Sequence, residues 1–298
     1  MNQPIRWPAE AIWEAVAPLL PGFTVEVLPC IDSTNSELMR RARAGRCEPI
    51  LLVAAQQTAG RGRLGRVWHS GVAVVAADTA PPSLTFSLGL PLAPADWSGL
   101  SLAVGVSVAE SLQPVLPSAT SGGRALPRIG LKWPNDLWLG GTGGDRKLGG
   151  ILVETASFVA PQQPGLGAAP AAAARYVVVG IGLNVQACAA TGLSMPPGSL
   201  QEIDADLDAP TALGRIVAPL VAMLQSFEAY GFEPMQPRFA VRDVLQDRQV
   251  NLSDGSSGTA HGVGRDGALQ VLTAQGMQSV TSSEVSVRPA SAAALPPH

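Results

Sequence analysis

The sequence predicts a mixed α/β sheet domain followed by a small all-β unit. Continuous apolar runs of strand length, ILLVAAQ (50–56) and YVVVGIGLNV (176–185), alternate with segments of helical periodicity such as 98–116. Beyond Val241 the chain changes to short strand-like runs punctuated by SDGSSG, RDG and QG. That segment suits a β-barrel of roughly 50 residues, stable only when docked on the main domain because so small a core is marginal alone. The division falls at 1–240 and 241–298.

The elements follow in order. In IDSTNSELMRRARAG (31–45), Thr34 and Glu37 have capping-box spacing and Gly45 follows the last helical residue, so a short helix starts at the polar tetrad DSTN. ILLVAAQ is a buried strand that feeds the glycine-rich loop QTAGRGRLGRVWHS, with Gly at 60, 62 and 65 and Arg at 61, 63 and 66. SLTFSLGL (83–90) alternates Leu84, Phe86 and Leu88 against Thr85 and Ser87 and reads as a strand, with the helix 98–116 after it. GLKWPNDLWLGG, KLGGILVET and YVVVGIGLNV supply further strands, with Pro134-Asn135-Asp136 turning between 131–133 and 137–139. Thr211–Tyr230 reads as a closing amphipathic helix. The Ala/Pro/Gly/Ser-rich stretches 117–127 and 156–174 read as surface insertions.

Composition narrows the function. The chain has 298 residues, 46% hydrophobic and 14% charged, with 20 Lys+Arg against 23 Asp+Glu, which removes the broad basic field that non-specific nucleic-acid binding needs. Cys30, Cys47 and Cys188 show no C-x-x-C spacing and His69, His261 and His298 are scattered, so neither a disulfide scaffold nor a structural zinc site is indicated. The N-terminal MNQPIRWPAEAIWEAV lacks a basic start followed by an apolar run, and the uncharged 176–201 stretch is broken by Gly, Pro, Asn and Ser. The expectation is a cytoplasmic protein without a membrane span.

Residue usage then points to a site. Eighteen of the 20 basic residues are arginines, so the two lysines, Lys132 and Lys147, are candidates for places that need a compact ammonium. The loop Gly60-Arg61-Gly62-Arg63-Leu64-Gly65 satisfies G-x-G-x-x-G formally, but Val67–Gly71 does not open a helix and three arginines interleave the glycines. A loop whose backbone amides and guanidinium forks converge on anionic oxygens fits better than a dinucleotide site, with a solvated basic turn as the plainer reading. Lys132-Trp133-Pro134-Asn135-Asp136 mixes a cation, an amide and a carboxylate around a rigid turn, suited to a phosphate and a Mg2+ ion, and equally to an ordinary hairpin turn. Lys147 opens KLGGILVE and Asn184 closes VVVGIGLN, each beside two glycines where a ligand or a simple turn fits. Neither lysine precedes Ser or Thr, and no G-x-S-x-G, H-E-x-x-H or EF-hand pattern occurs, which disfavours P-loop, α/β-hydrolase and zincin chemistry.

Taken in order, DSTN (32–35), QQTAGRGRLGRVW (56–68), KWPND (132–136), KLGGILVE (147–154) and GIGLNV (180–185) resemble the biotin protein ligase family. The similarity spans about residues 30–290 and implies a mixed-sheet biotin/lipoate ligase-like catalytic domain with a C-terminal SH3-like barrel. It implies ATP, Mg2+ and biotin as the reacting set, biotinyl-5'-AMP as intermediate, and a lysine of a carboxylase carrier domain as acceptor.

The resemblance also implies roles. Ser33, Thr34, Asn35 and Gln57 would serve the ureido ring. Arg61, Gly62 and Arg63 would form the loop ordering over biotin and the adenylate, with Arg66 and Trp68 near the nucleotide. Lys132 and Lys147 would neutralise the carboxylate and α-phosphate, Lys147 also touching biotin, and Asp136 would assist through Mg2+ or the incoming lysine. Asn135 and Asn184 would hold phosphate or adenine. About 30 residues precede the first motif, fewer than a DNA-binding module needs, so a monofunctional ligase is expected, acting as a monomer or weak homodimer without nucleic acid or membrane. The rivals are a lipoate ligase or octanoyltransferase of the same fold, and a ligand-sensing DNA-binding regulator, for which no basic recognition helix is visible.

Overall fold

Alternation along one strand organises the molecule. In β3 (Ser83–Leu92), Leu84, Phe86, Leu88 and Leu90 point to one face and Thr85, Ser87 and Gly89 to the other, yet both sets are buried. The strand is therefore central, with an apolar core on one side and a polar assembly on the other. The computed structural model describes residues 5–69, 81–117, 126–141, 144–157, 174–187, 197–253, 255–281 and 287–289.

Around β3 runs a seven-stranded sheet built from β1 (Thr24–Ile31), β2 (Ile50–Gln57), β3, β4 (Arg128–Lys132), β5 (Asp136–Gly140), β6 (Arg146–Ser157) and β7 (Arg175–Asn184). Its order is β1-β2-β3-β7-β6-β5-β4, with β1 parallel to β2 and every other pair antiparallel. This is the expected mixed sheet. The first helix, α1 (Ala9–Val16), and β1 were not singled out from the sequence; both are short, and β1 buries none of its residues fully.

The apolar face carries Val177, Val179, Ile181 and Leu183 of β7 beside the β3 leucines. It is covered by α1, α3 (Leu100–Leu112) and α4 (Ala209–Tyr230). Asp208 caps α4 by accepting the Thr211 amide at 2.8 Å, and the helix ends at Gly231, whose φ is 65°. Among the described residues α4 is the one helix long and apolar enough to cross a membrane. Its Leu213, Ile216, Val217, Leu220, Leu224 and Phe227 are buried, as in a core helix. Each such side chain contributes about 1.5–3 kcal/mol of burial free energy.

The opposite face is covered only in part, by α2 (Thr34–Arg43), whose Leu38, Met39 and Ala42 pack on Leu52, Tyr176 and Val178. The cap of α2 is Ser33, which accepts the Ser36 amide at 3.4 Å, and not Thr34 as the capping-box spacing suggests. Glu37 instead pairs with Arg40 and Arg41. The shift matters because a capping hydroxyl is engaged by its own helix, whereas Thr34, the first helical residue, turns its hydroxyl to the sheet.

After α5 (Gln236–Ala240), residues 242–244 run along the outer edge of β4. The Leu131 amide donates to Arg242 O at 2.7 Å and the Val244 amide to Leu131 O at 3.0 Å. Then β8 (Gln249–Leu252), β9 (Ser257–Val263), β10 (Leu269–Thr273), β11 (Gly276–Val280) and β12 (Val287–Pro289) form a five-stranded antiparallel sheet of order β11-β10-β9-β8-β12, the small C-terminal unit expected as an SH3-like barrel. It is docked: Val250, Ala260, Leu269 and Val271 join the main core, and Trp133 Nε1 donates to Gly267 O at 3.0 Å. Gly267 has φ 76° and sits so close to the start of α3 that an added Cβ would lie 2.7 Å from Gly99 Cα. The insertions expected at 117–127 and 156–174, and the stretch 71–83 after the glycine loop, lie for most of their length outside the described residues.

Candidate active site

Where α2 stops covering the sheet, the glycines of the two strand motifs leave a hollow. Gly150 of β6 pairs with Gly182 of β7, and Leu152 with Gly180, so three residues without side chains face the same side. Two of them are occupied from above. A Cβ on Gly180 would fall 2.0 Å from Asn35 Oδ1, and one on Gly182 would fall 2.5 Å from the Trp68 ring. The result is an open cleft with about 740 Å³ of empty space, lined among others by Ser33, Thr34, Asn35, Gln57, Arg61, Gly62, Arg63, Arg66, Trp68, Asn135, Asp136 and Lys147.

One end of the cleft is polar and neutral. The Thr34 amide donates to Gln57 Oε1 at 2.8 Å, and Thr34 Oγ1 lies 3.2 Å from the same oxygen. Asn35 Nδ2 donates to Leu152 O at 3.2 Å and Glu154 Oε2 at 3.1 Å. Ser87 Oγ sits 2.6 Å from Asn35 Oδ1 and 2.7 Å from Thr34 Oγ1. Ser33, Thr34 and Asn35 are all at most 3% exposed, so their polar atoms are desolvated and need partners.

The other end is cationic. The glycine loop forms a small hairpin in which the Gly62 amide donates to Arg66 O at 2.7 Å and the Trp68 amide to Gly60 O at 2.9 Å, turning through Leu64 (φ 55°) and Gly65 (φ 72°). Those two amides are engaged inside the loop, while its guanidinium groups reach towards the cleft. Arg61 makes a fork to Glu154 with both contacts at 3.0 Å, tying the loop to β6. Arg63 donates to Asn135 Oδ1 at 3.4 Å, and Asn135 Nδ2 donates to Ile151 O at 2.8 Å. Burial lowers the proton affinity of Arg63, with Asp136 opposing and Arg66 adding to the effect. A guanidinium stays charged under such a shift, so Arg63 is a partly desolvated cation turned to the cleft. Lys147 Nζ donates to Asp136 Oδ1 at 2.7 Å above Gly150. The Trp68 Nε1 is buried and without a partner among the described residues.

Two expected site residues do not line the cleft. Lys132 is 8% exposed with its Nζ 5.3 Å from the Trp138 ring centroid. It nevertheless stands opposite Asp136 in the β4–β5 register and so shares the cleft's sheet face. Asn184 turns its amide to Gly198 O at 3.2 Å and Lys147 O at 3.4 Å, which fixes the backbone that carries Lys147. Among the described residues no cluster of three His, Cys, Asp or Glu side chains could hold a metal by itself, and Asp136 is the one carboxylate lining the cleft.

Comparison with known proteins decides the family. The profile of the Biotin/lipoate A/B protein ligase family matches residues 27–167. The Bifunctional ligase/repressor BirA of Escherichia coli is 32% identical over 276 residues, spanning 91% of this chain and 76% of that protein. The chain belongs to the biotin protein ligase family. The Biotin--[acetyl-CoA-carboxylase] ligase of Paracoccus denitrificans is 28% identical over 262 residues, covering 85% of this chain and 96% of that protein. The solved biotin protein ligase from Aquifex aeolicus in complex with biotin and ATP superposes with a TM-score of 0.65 at 25% identity, over 89% of this chain and 99% of that one.

Within this biotin protein ligase fold, sequence reasoning missed two residues that the geometry places in the site. Ser87 lies beneath Thr34 and Asn35; its membership in the polar half of the β3 alternation was the available signal. Glu154 closes KLGGILVE and anchors both Arg61 and Asn35.

Proposed function

We propose that this chain joins biotin to ATP as biotinyl-5'-AMP and passes the biotinyl group to a lysine of a carboxylase carrier domain. The observation that carries the reading is a single cleft with a neutral hydrogen-bonding end and a cationic end, lined by residues of the DSTN, GRGRLGR, KWPND and KLGGILVE motifs. In the first step the biotin carboxylate attacks the α-phosphorus and pyrophosphate leaves; in the second the acceptor amine attacks the acyl carbon and AMP leaves. Both need charge stabilisation, and the second also releases a proton from the acceptor amine as the amide forms.

The residues divide accordingly. Ser33, Thr34, Asn35 and Gln57 hold the ureido ring. Arg63 and Lys147 stand over the reacting carboxylate and α-phosphate, with Asn135 positioning Arg63. Arg66 and Trp68 meet the nucleotide, the unpartnered Trp68 Nε1 supplying a donor there. Lys132, set back from the cleft, acts only through its field, and Asn184 through the Lys147 backbone. A magnesium ion, when bound, supplies further neutralisation of phosphate charge; Asp136 is the residue that would hold it, and one carboxylate suffices because Mg2+ completes its shell with phosphate and water.

We further propose that the catalytic unit extends past residue 240. The pairing of Arg242 and Val244 with Leu131 supports a joint with the C-terminal sheet between about residues 245 and 249.

The test is exchange of labelled pyrophosphate into ATP by the purified chain, with biotin, lipoate and octanoate side by side. Biotin alone is expected to support exchange; preference for lipoate or octanoate overturns the reading in favour of the related acyl ligases.

A further inference from the structure

The neutral end of the cleft contains more close oxygen contacts than hydroxyl protons. Three pairs are involved: Ser87 Oγ with Asn35 Oδ1 at 2.6 Å, Ser87 Oγ with Thr34 Oγ1 at 2.7 Å, and Thr34 Oγ1 with Gln57 Oε1 at 3.2 Å. Only Ser87 and Thr34 can supply a proton, one each. The Asn35 amide is fixed in orientation because its Nδ2 serves Leu152 O and Glu154 Oε2, so its Oδ1 only accepts. Ser87 must therefore give its proton to Asn35. Its lone pair then receives the Thr34 hydroxyl across the shorter of the two remaining contacts. Gln57 Oε1 is likewise an oxygen, since the Thr34 amide donates to it. Thr34 Oγ1 and Gln57 Oε1 are left as two acceptors side by side with no proton between them, both on residues that line the cleft.

We propose that Ser87, fully buried beneath the cleft, is a specificity-determining positioning residue: by fixing the direction of the Thr34 hydroxyl it makes the cleft demand a ligand N–H at Thr34 and Gln57. This rests on the reading of biotin as substrate, whose ureido ring carries two N–H groups. A saturated acyl chain has none to offer, so the lone pairs that Thr34 Oγ1 and Gln57 Oε1 turn to the cleft would be desolvated without a donor, a strong form of discrimination for a hydrogen-bonding site.

The experiment compares wild type with Ser87→Ala, using biotin and the two isomeric carbamates in which one ring N–H is replaced by oxygen. Without Ser87 the Thr34 proton is free to turn to Gln57 Oε1 or to the cleft, where it can donate to a ring oxygen. The expected result is a rise in KM for biotin by a factor of about three to ten, the size of one neutral hydrogen bond, with KM for ATP unchanged. The preference for biotin over at least one carbamate should fall by a similar factor. An unchanged biotin KM, or a KM raised equally for biotin and both carbamates, overturns the proposal, because a merely structural role would not distinguish the analogues. Ser87→Cys, near-isosteric and a weaker donor, gives the same comparison with a smaller effect if the alanine variant does not fold. Failure of the wild-type chain to use biotin at all would instead overturn the functional reading on which the proposal stands.

Discussion

Asn35 Oδ1 occupies the space that a side chain on Gly180 would need, 2.0 Å from the position of an added Cβ. The helix that presents Asn35 and the strand beneath it are thus matched at one point, and the polar end of the cleft depends on that match.

Gly180→Ala should therefore lift Asn35 from β7 and break its contacts with Ser87, Leu152 and Glu154. The expected cost in stability is about 1–3 kcal/mol, the usual size for overpacking a filled interior. Biotin KM should rise at least tenfold. Gly182→Ala, whose Cβ would meet Trp68, should raise KM for ATP instead. Steady-state kinetics on both variants with thermal unfolding checks the separation; equal effects on both substrates would contradict it.

Lys147→Arg keeps the charge and a partner for Asp136. The Lys147 side chain is 44% exposed, and an exposed pair contributes only about 0–1 kcal/mol, so stability should be little changed. Adenylate formation should be nearly abolished, because a planar guanidinium does not replace a compact ammonium beside a carboxylate and a phosphate. Pyrophosphate exchange near the wild-type rate would refute the role assigned to Lys147.

Burial raises the Asp243 carboxyl to about 6, against an ordinary value of 3.8. The Leu245 amide and Arg248 act in the opposite direction and Asp247 adds to the rise. The fold thus favours the neutral acid. Its contribution to stability is complete below about pH 4 and is lost as pH rises through about 6, a change on the order of 3 kcal/mol for a shift of this size. Asp32, held down to about 2 chiefly by its hydrogen bond from Arg40, works in the opposite sense and only below pH 4. Denaturant unfolding at pH 4 and pH 7 should show wild type losing more stability than Asp243→Asn as the pH rises from the lower value to the higher. Parallel pH dependence in the two proteins would contradict it.

How much of this site was legible in the sequence depends on distance along the chain. The glycine loop, the Pro134–Asp136 turn and the GIG of β7 are local patterns, and each stands where its residues predict. What a short pattern does not contain is the partner across the sheet. Gly180 and Gly182 signal a close approach, but only the register and the placement of α2 and the glycine loop make the occupants Asn35 and Trp68. Lys132 and Lys147 look alike in composition; one lies over Trp138 and the other on Asp136 because side-chain direction is set by packing that no spacing encodes. Thr34 was misread as a cap for a similar reason: Ser33 and Thr34 have equal capping chemistry, and the choice is made by Ser87 and Gln57, which are distant in sequence.

The last prediction concerns retention of the adenylate. Two arginines of the glycine loop differ in environment: Arg61 is held by Glu154 in a fork, whereas Arg63 is half-buried, touches Asn135 and faces the cationic end of the cleft. If Arg63 grips the adenylate while Arg61 only fastens the loop, Arg63→Gly removes a charge-assisted contact of about 1.5–3 kcal/mol and also frees the backbone at that point. The mixed anhydride should then escape and acylate any nearby amine. Incubated with biotin, ATP and albumin, the variant should label albumin while wild type does not. The chain itself should stay almost unlabelled, because its amines are only its α-amino group and two lysines, Lys132 buried and Lys147 on Asp136. Glu154→Gln removes the ion pair that fastens the loop without removing the grip, so its leakage should be smaller than that of Arg63→Gly. Mass spectrometry of albumin and of the chain after each incubation measures both. Unlabelled albumin despite normal pyrophosphate release from Arg63→Gly would mean that Arg63 does not guard the intermediate and that the loop serves phosphate binding alone.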